Sequence, residues 1–123
     1  MNARTVLYVE DNDDNVYVLR NRLERAGYRV LVATDGAVGV DMARSESPDL
    51  IVLDLILPGV DGWEAARRLR ADPETRAIPI IALSSSAMPD DRQRALDAGC
   101  DRFDTKPVDF ARLEGLINEL LGS

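Results

Sequence analysis

Polar side chains gather wherever an apolar run of this chain stops. Thr5–Glu10 (TVLYVE) ends in Glu10 and leads into Asp11, Asp13 and Asp14. Leu50–Leu53 (LIVL) ends in Asp54, Ile80–Leu83 (IIAL) in Ser84, Ser85 and Ser86, and the weaker stretch Asp101–Thr105 in one lysine, Lys106. Clustered carboxylates repel one another and raise each other's pKa unless a cation sits among them. Hard oxygen ligands favour Mg²⁺, which takes one or two carboxylates and completes its octahedron with water and phosphate oxygens. A lysine is a mobile point charge suited to a phosphoryl oxygen, and a serine hydroxyl can donate to another. Together these groups describe phosphoryl transfer, where catalysis is mostly positioning and charge neutralisation. The chain has no histidine, so the nucleophile must be a carboxylate. Asp54, alone at the end of an apolar run, is the candidate.

The runs need a scaffold that brings their ends together. Short apolar runs of this length read as buried strands. Between them lie helical patterns: Val16, Leu19, Leu23 and Ala26 share a face, then Ala37, Val40 and Ala43, then Ala66 and Leu69 in a helix from about Trp63 to Arg70. Arg29–Ala33 (RVLVA) is a second strand, followed by Thr34 and Asp35. Met88–Ala98 is helical with a thin apolar face, which predicts marginal stability and mobility. The last helix is the clearest, with Leu113, Leu116, Ile117, Leu120 and Leu121 in one stripe. Strand–helix alternation implies an α/β fold, a doubly wound parallel sheet with helices on both faces. In such sheets ligands bind beyond the carboxyl ends of the strands, where the acids, serines and Lys106 fall.

Composition closes other routes. The length of 123 residues fits one domain, 1–123, with no room for an output domain. The net charge of −7, from Lys+Arg 15 against Asp+Glu 22, argues against direct nucleic-acid binding. The single cysteine, Cys100, forms no intrachain disulfide or thiolate zinc cage and reads as a packing residue. No apolar run spans a bilayer and no signal peptide is evident, so no membrane partner is expected and the location is cytoplasmic. Trp63 is expected half-buried near the site. Arg67, Arg68, Arg70, Arg92 and Arg94 read as solvated helix faces.

Taken singly, each motif has a plain structural explanation: an acidic helix start, a cap, a surface lysine, a serine turn. Taken in order, Glu10-Asp11, Asp54 in LDLILPGVDG, Ser84 in PIIALSSSAM and Lys106-Pro107 in DRFDTKPVD resemble the receiver domain of two-component response regulators, the CheY-like family, in its single-domain form. The resemblance covers essentially the whole chain. It implies a five-stranded flavodoxin-like (βα)5 sheet in the order 2-1-3-4-5. It also implies that Asp54 takes a phosphoryl group from the phosphohistidine of a histidine kinase or histidine phosphotransfer protein. Asp11, Asp54 and the backbone carbonyl of Ile56 would ligate Mg²⁺, with Glu10 assisting through water. Lys106 would hold the phosphoryl oxygens. Ser84 would move to bond the phosphoryl group, with Phe103 turning inward. The Lys106–Pro107 peptide would be cis, and a downstream protein would bind the α4-β5-α5 face. The chain would be a monomer or a weak phosphorylation-dependent dimer, and would catalyse only its own phosphorylation and dephosphorylation.

Some positions depart from the family pattern. Phe103 lacks the hydroxyl of the tyrosine often found there. Asp104 replaces an aliphatic residue, so it should be exposed or paired. Ile56 and Ser86 sit where the family tunes dephosphorylation, and an apolar Ile56 orients no hydrolytic water. Three alternatives fit the fold less well. A haloacid-dehalogenase-type phosphatase needs an acid where Ile56 stands. A flavodoxin-like cofactor binder would meet the acids after the first strand. A pseudo-receiver would not need the intact set of Asp11, Asp54, Ser84 and Lys106.

Overall fold

The computed structural model describes residues 3–85 and 88–122, which leaves Ser86 outside the described residues. Ten elements alternate: β1 (Thr5–Val9), α1 (Asp13–Arg25), β2 (Arg29–Ala33), α2 (Gly36–Glu46), β3 (Leu50–Asp54), α3 (Gly62–Ala71), β4 (Ile80–Ser84), α4 (Pro89–Asp97), β5 (Arg102–Thr105) and α5 (Phe110–Leu121). The five strands form one parallel sheet in the order β2-β1-β3-β4-β5, as the family resemblance implied.

Residues two apart on a strand share a face, and the core divides accordingly. Leu7, Val9, Ile51, Leu53, Ile80 and Ala82 pack under α2, α3 and α4 through Val40, Ala43, Ala66, Leu69 and Ala95. Val6, Tyr8, Leu50, Val52, Ile81 and Leu83 pack under α1 and α5 through Leu19, Leu23, Leu113 and Ile117. With both faces covered, β3 and β4 are buried at every position. This explains runs without polar alternation. Burying a Val, Leu or Ile side chain is worth about 1.5–3 kcal/mol, so these runs hold the sheet edge rigid beneath the site.

Four helices start on a side-chain cap: Asn12 for α1, Asp35 for α2, Asp61 for α3 and Asp109 for α5 each accept an N–H three residues on. The fifth, α4, begins at Pro89 after Met88 and has no side-chain cap. It buries only Asp91 and Ala95, in keeping with its thin stripe.

Three expectations are corrected. Ala26 is not on the inner face of α1 but is its exposed C-cap, because the helix ends one residue earlier. Ala37 is exposed, and α2 turns Gly36, Gly39, Val40 and Ala43 inward instead, since Gly39 lets the helix settle on Val9. Arg70 is not a solvated residue. It is half-buried and bonds three backbone carbonyls and Asp101. Arg67 and Arg68 do lie on the surface, paired with Glu64. Among the described residues, no helix is long and apolar enough to cross a membrane.

Candidate functional site

Parallel pairing places all the carboxyl strand ends at one edge, and the candidate residues follow from it. Glu10 comes directly after β1 and is pinned by its N–H to the Ala33 carbonyl at 2.9 Å. Asp54 is the last residue of β3 and Ser84 the last of β4. Lys106 follows β5, and its N–H donates to the Ser84 carbonyl at 2.8 Å. The peptide between Lys106 and Pro107 is cis.

The loop after Asp54 is held by a glycine. A side chain on Gly62 would run into the backbone of Leu55 and Asp54, while the Gly62 N–H bonds the Leu55 carbonyl at 3.0 Å. The absent Cβ therefore lets α3 begin against the acid-bearing strand end. On the same loop, the Ile56 N–H donates to Asp54 Oδ1 at 3.1 Å, and the Ile56 side chain is exposed.

The structure brings Glu10, Asp11 and Asp54 together, with one carboxylate oxygen from each within 4.8 Å of the others. Glu10 and Asp54 are buried and Asp11 is exposed. Lys106, the only lysine in the chain, bridges the two buried acids. Its Nζ lies 2.7 Å from Glu10 Oε1 and 2.8 Å from Asp54 Oδ2. Two carboxylates thus share one ammonium, with a third, Asp11, beside them. This closely spaced set of hard oxygen donors, with its excess negative charge, fits Mg²⁺.

The two buried acids divide a proton unequally. Burial raises Asp54, and a hydrogen bond to Glu10 raises it further, to about 6, against the pull of Lys106 and the Ile56 N–H. Burial also raises Glu10, but bonds with Asp54 and Lys106 and the Asn12 N–H outweigh it and bring it down to about 2. The donors around Glu10 thus favour it as the anion of the pair, and burial favours Asp54 as the site of any proton the pair holds. Lys106 is depressed by burial, yet its two carboxylates more than compensate and it stays charged.

Sequence reasoning missed two residues. Tyr8 Oη donates to Glu10 Oε1 at 3.1 Å, and Asn15 Nδ2 donates to the same oxygen at 3.2 Å. The signal for Tyr8 was present. Two positions before Glu10 on a buried strand, it shares that residue's face, and a buried phenol needs a partner. Asn15 carried no comparable signal, since an amide in a first helical turn is ordinary.

The remaining predicted residues are near but apart. Phe103 is half-buried and packs against the core beneath α2, α3 and α4. Asp104 is buried and paired, 2.9 Å from Arg112 Nε, which settles the expectation that it be exposed or paired. Trp63 is half-buried with Arg94 stacked 4.1 Å above its ring, so Arg94 is not simply solvated. Cys100 is buried in the core, and burial pushes its thiol up to about 12.

Comparison with known proteins agrees with this geometry. The chain is 37% identical over 120 residues to the polar-differentiation response regulator DivK of Brucella ovis, covering 98% of each. It superposes on the receiver domain of a sensor histidine kinase from Pseudomonas aeruginosa PAO1 with a TM-score of 0.92 and 37% identity, covering 99% of this chain and 100% of that one. That crystal structure carries a magnesium ion coordinated in its active-site cleft. The chemotaxis protein CheY4 of Vibrio cholerae matches with a TM-score of 0.90 and 25% identity over 98% of this chain and 100% of that one. The family model of the response regulator receiver domain matches residues 6–118. A match across nearly the whole chain, on the same five-stranded order and with acids grouped at the same sheet edge, means that this chain belongs to the response regulator receiver family.

Proposed function

We propose that this chain accepts a phosphoryl group from a partner phosphohistidine onto Asp54. An oxygen of the Asp54 carboxylate forms the new bond to phosphorus as the phosphorus–nitrogen bond to the donor imidazole breaks. With its pKa near 6, Asp54 is mostly ionised at neutral pH and available for attack. The Ile56 N–H and Lys106 fix its two oxygens in orientation. Lys106 then turns its charge to the incoming phosphoryl oxygens. The Ser84 hydroxyl, at the neighbouring strand end, bonds the group once it has arrived, and Phe103 follows by turning inward. Asp11, Asp54 and the Ile56 carbonyl would hold Mg²⁺, with Glu10 acting through water. When bound, the ion supplies the positive charge that the phosphoryl oxygens require.

The single observation that carries this reading is Lys106 Nζ at 2.8 Å from Asp54 Oδ2 within a three-carboxylate cluster. The added charge, about −1.5 to −2 at neutral pH, shifts the protein only as far as the two conformations bind it differently. Ser84 and Lys106 supply that difference, and the readout is the α4-β5-α5 face, which a downstream protein binds. The donor is a histidine kinase or histidine phosphotransfer protein. Ile56 presents no group to position a hydrolytic water, so the phosphate leaves slowly; a lifetime of seconds in the isolated protein would contradict this.

Intact mass after incubation with acetyl phosphate and Mg²⁺ tests the proposal. One added phosphoryl group is expected, absent in Asp54→Asn and after chelation of the metal. A phosphoryl group still gained by Asp54→Asn would move the acceptor elsewhere. Ser84→Ala should still gain the group but bind a downstream partner no better than the unphosphorylated parent.

A further inference from the structure

Glu10 is held by more donors than one residue of an acidic pair needs. Its Oε1 faces Lys106 Nζ at 2.7 Å, Tyr8 Oη at 3.1 Å and Asn15 Nδ2 at 3.2 Å. Its Oε2 faces the N–H groups of Asp11 at 3.1 Å and Asn12 at 3.4 Å. A carboxylate offers roughly four lone-pair sites, two to each oxygen. Oε1 is oversubscribed, so it can lose one donor and remain satisfied.

The three donors differ in freedom. Tyr8 is fixed: its ring is buried on β1 among Leu19, Leu23 and Leu113. Asn15 sits in the first turn of α1, where its N–H is bonded by the Asn12 cap. Lys106 alone has a long flexible stem and a second partner, Asp54. It also borders a cavity of about 250 Å³ between α1 and the loop before α5, lined by Tyr8, Asn15 and Pro107 among others, so its stem is not walled in. Packing does not explain the Tyr8 hydroxyl either, since phenylalanine would fill the same space without a polar atom to satisfy.

We infer that Tyr8, with Asn15, holds Glu10 in place while Lys106 leaves it for the phosphoryl group, which makes Tyr8 a positioning residue for phosphoryl transfer. The inference rests on Asp54 being the phosphoacceptor. Once Lys106 departs, Oε1 keeps two donors and Glu10 is not left as a poorly solvated buried anion. Without the Tyr8 hydroxyl, Glu10 would depend on the ammonium and release it reluctantly. The two fixed donors lower the cost of the hand-over without touching the reacting atoms.

The only lysine in the chain makes this directly observable. Protein labelled with ¹⁵N at lysine Nζ gives a single ammonium signal, from Lys106. The signal is followed in the parent, Tyr8→Phe and Asn15→Ala on adding Mg²⁺ and beryllofluoride, a phosphoryl mimic. Uptake from acetyl phosphate is timed by intact mass, and Mg²⁺ affinity is measured by calorimetry.

Hydrogen bonds to charged groups are strong enough that Tyr8→Phe should slow uptake about tenfold, and exposed Asn15→Ala about threefold. The double variant should lose more than the product of the two. Mg²⁺ affinity should stay within about twofold of the parent, because the hydroxyl acts on the Lys106 side of Glu10. The Lys106 signal of Tyr8→Phe should stay near its free position at beryllofluoride concentrations that move the parent's. Asn15→Ala, altered at an exposed position, carries the same test should Tyr8→Phe fold poorly. Uptake and lysine signal indistinguishable from the parent would overturn the inference. So would a loss of Mg²⁺ affinity as large as the loss of rate, since it would place the hydroxyl in the service of the metal. A parent that takes no phosphoryl group overturns the acceptor reading along with this one; a phosphorylated parent with unaffected variants overturns this one alone.

Discussion

The sheet has a charged cluster at each end of its strands, and the two are built on opposite principles. At the amino ends of β4 and β5, Arg70 donates to the carbonyls of Gly99 at 2.7 Å, Arg76 at 2.8 Å and Ile78 at 2.7 Å, and to Asp101 Oδ2 at 2.6 Å. Asp101 Oδ2 also accepts the Ile80 N–H at 2.8 Å. Gly99, at a φ of 111°, has no side chain because one would collide with the Arg70 stem. One cation meets one anion there and the surrounding carbonyls are filled. At the carboxyl ends, one ammonium pairs with two of three clustered carboxylates. The first cluster is balanced and has nothing further to bind. The second is short of positive charge, which suits it to the divalent cation and the lysine hand-over proposed above. Ion pairs alone do not mark a site; an unbalanced set of them does.

Exchanging the behaviour of the two clusters would break this contrast. Asp54→Asn should abolish phosphoryl uptake completely and yet raise stability at pH 7 by about 1 kcal/mol, since it removes a buried negative charge that its neighbours oppose. Chemical denaturation beside the mass assay checks both halves. Arg70→Met should do the reverse. It leaves three carbonyls and Asp101 short of a donor, and should cost about 3 kcal/mol in the same denaturation while uptake stays at the parental rate. A large loss of stability in Asp54→Asn, or a large loss of uptake in Arg70→Met, would show that the ends are not separate.

The pH dependence sharpens the comparison through its sign. The folded protein holds a proton on Asp54 more tightly than the unfolded chain does, from the ordinary 3.8 up to about 6. Between those values the folded state binds more protons, so this group's contribution to stability falls as pH rises from about 4 to about 6. Glu10 runs the other way. Its pKa is lowered from 4.5 to about 2, so its contribution is present above about 4.5 and is lost as pH falls toward 2. The expected profile for the site is a stability maximum near pH 4–5, with the upper limb missing in Asp54→Asn and its amplitude, at most about 3 kcal/mol, reduced by Mg²⁺. An upper limb that persists in Asp54→Asn would assign it to another group.

The sequence made the unbalanced end far more legible than the balanced one. Glu10, Asp54 and Ser84 end apolar runs, Lys106 ends the weaker stretch Asp101–Thr105, and parallel pairing carries all strand ends to one edge, so these four could be placed together before any geometry was known. The limits of β1, β3 and β4 fell within a residue for the same reason: these buried strands are unbroken apolar runs. Arg70 was misread because its helix neighbours Arg67 and Arg68 are solvated, and its partners are carbonyls at Gly99, Arg76 and Ile78, which have no signature in a sequence. Ala26 and Ala37 were misassigned because alanine is tolerated on either side of a helix, so periodicity alone does not place it. Tyr8 was legible in principle, as a phenol two residues from an acid on a buried strand.

The smallest expected effect concerns α4, whose amino end neither cluster secures. It has no side-chain cap and a buried face limited to Asp91 and Ala95. Besides the core packing of Ala95, Arg94 stacks over Trp63 of α3, 4.1 Å from the ring, and the indole N–H of Trp63 is buried with no hydrogen-bond partner among the described residues. Stacking of this kind is worth about 0.5–1 kcal/mol near a surface. Arg94→Ala should therefore cost little stability, well below Arg70→Met, and leave uptake by Asp54 unchanged. It should still alter the emission of Trp63, the only tryptophan in the chain. The informative measurement is that emission before and after phosphorylation. If α4 moves as the reporting element of the α4-β5-α5 face, the parent's emission changes on phosphorylation and the variant's starts closer to the phosphorylated value, because the contact that α4 must give up is already gone. A variant whose emission responds as fully as the parent's would separate the Arg94 contact from the switch and leave Ser84 and Phe103 to carry it.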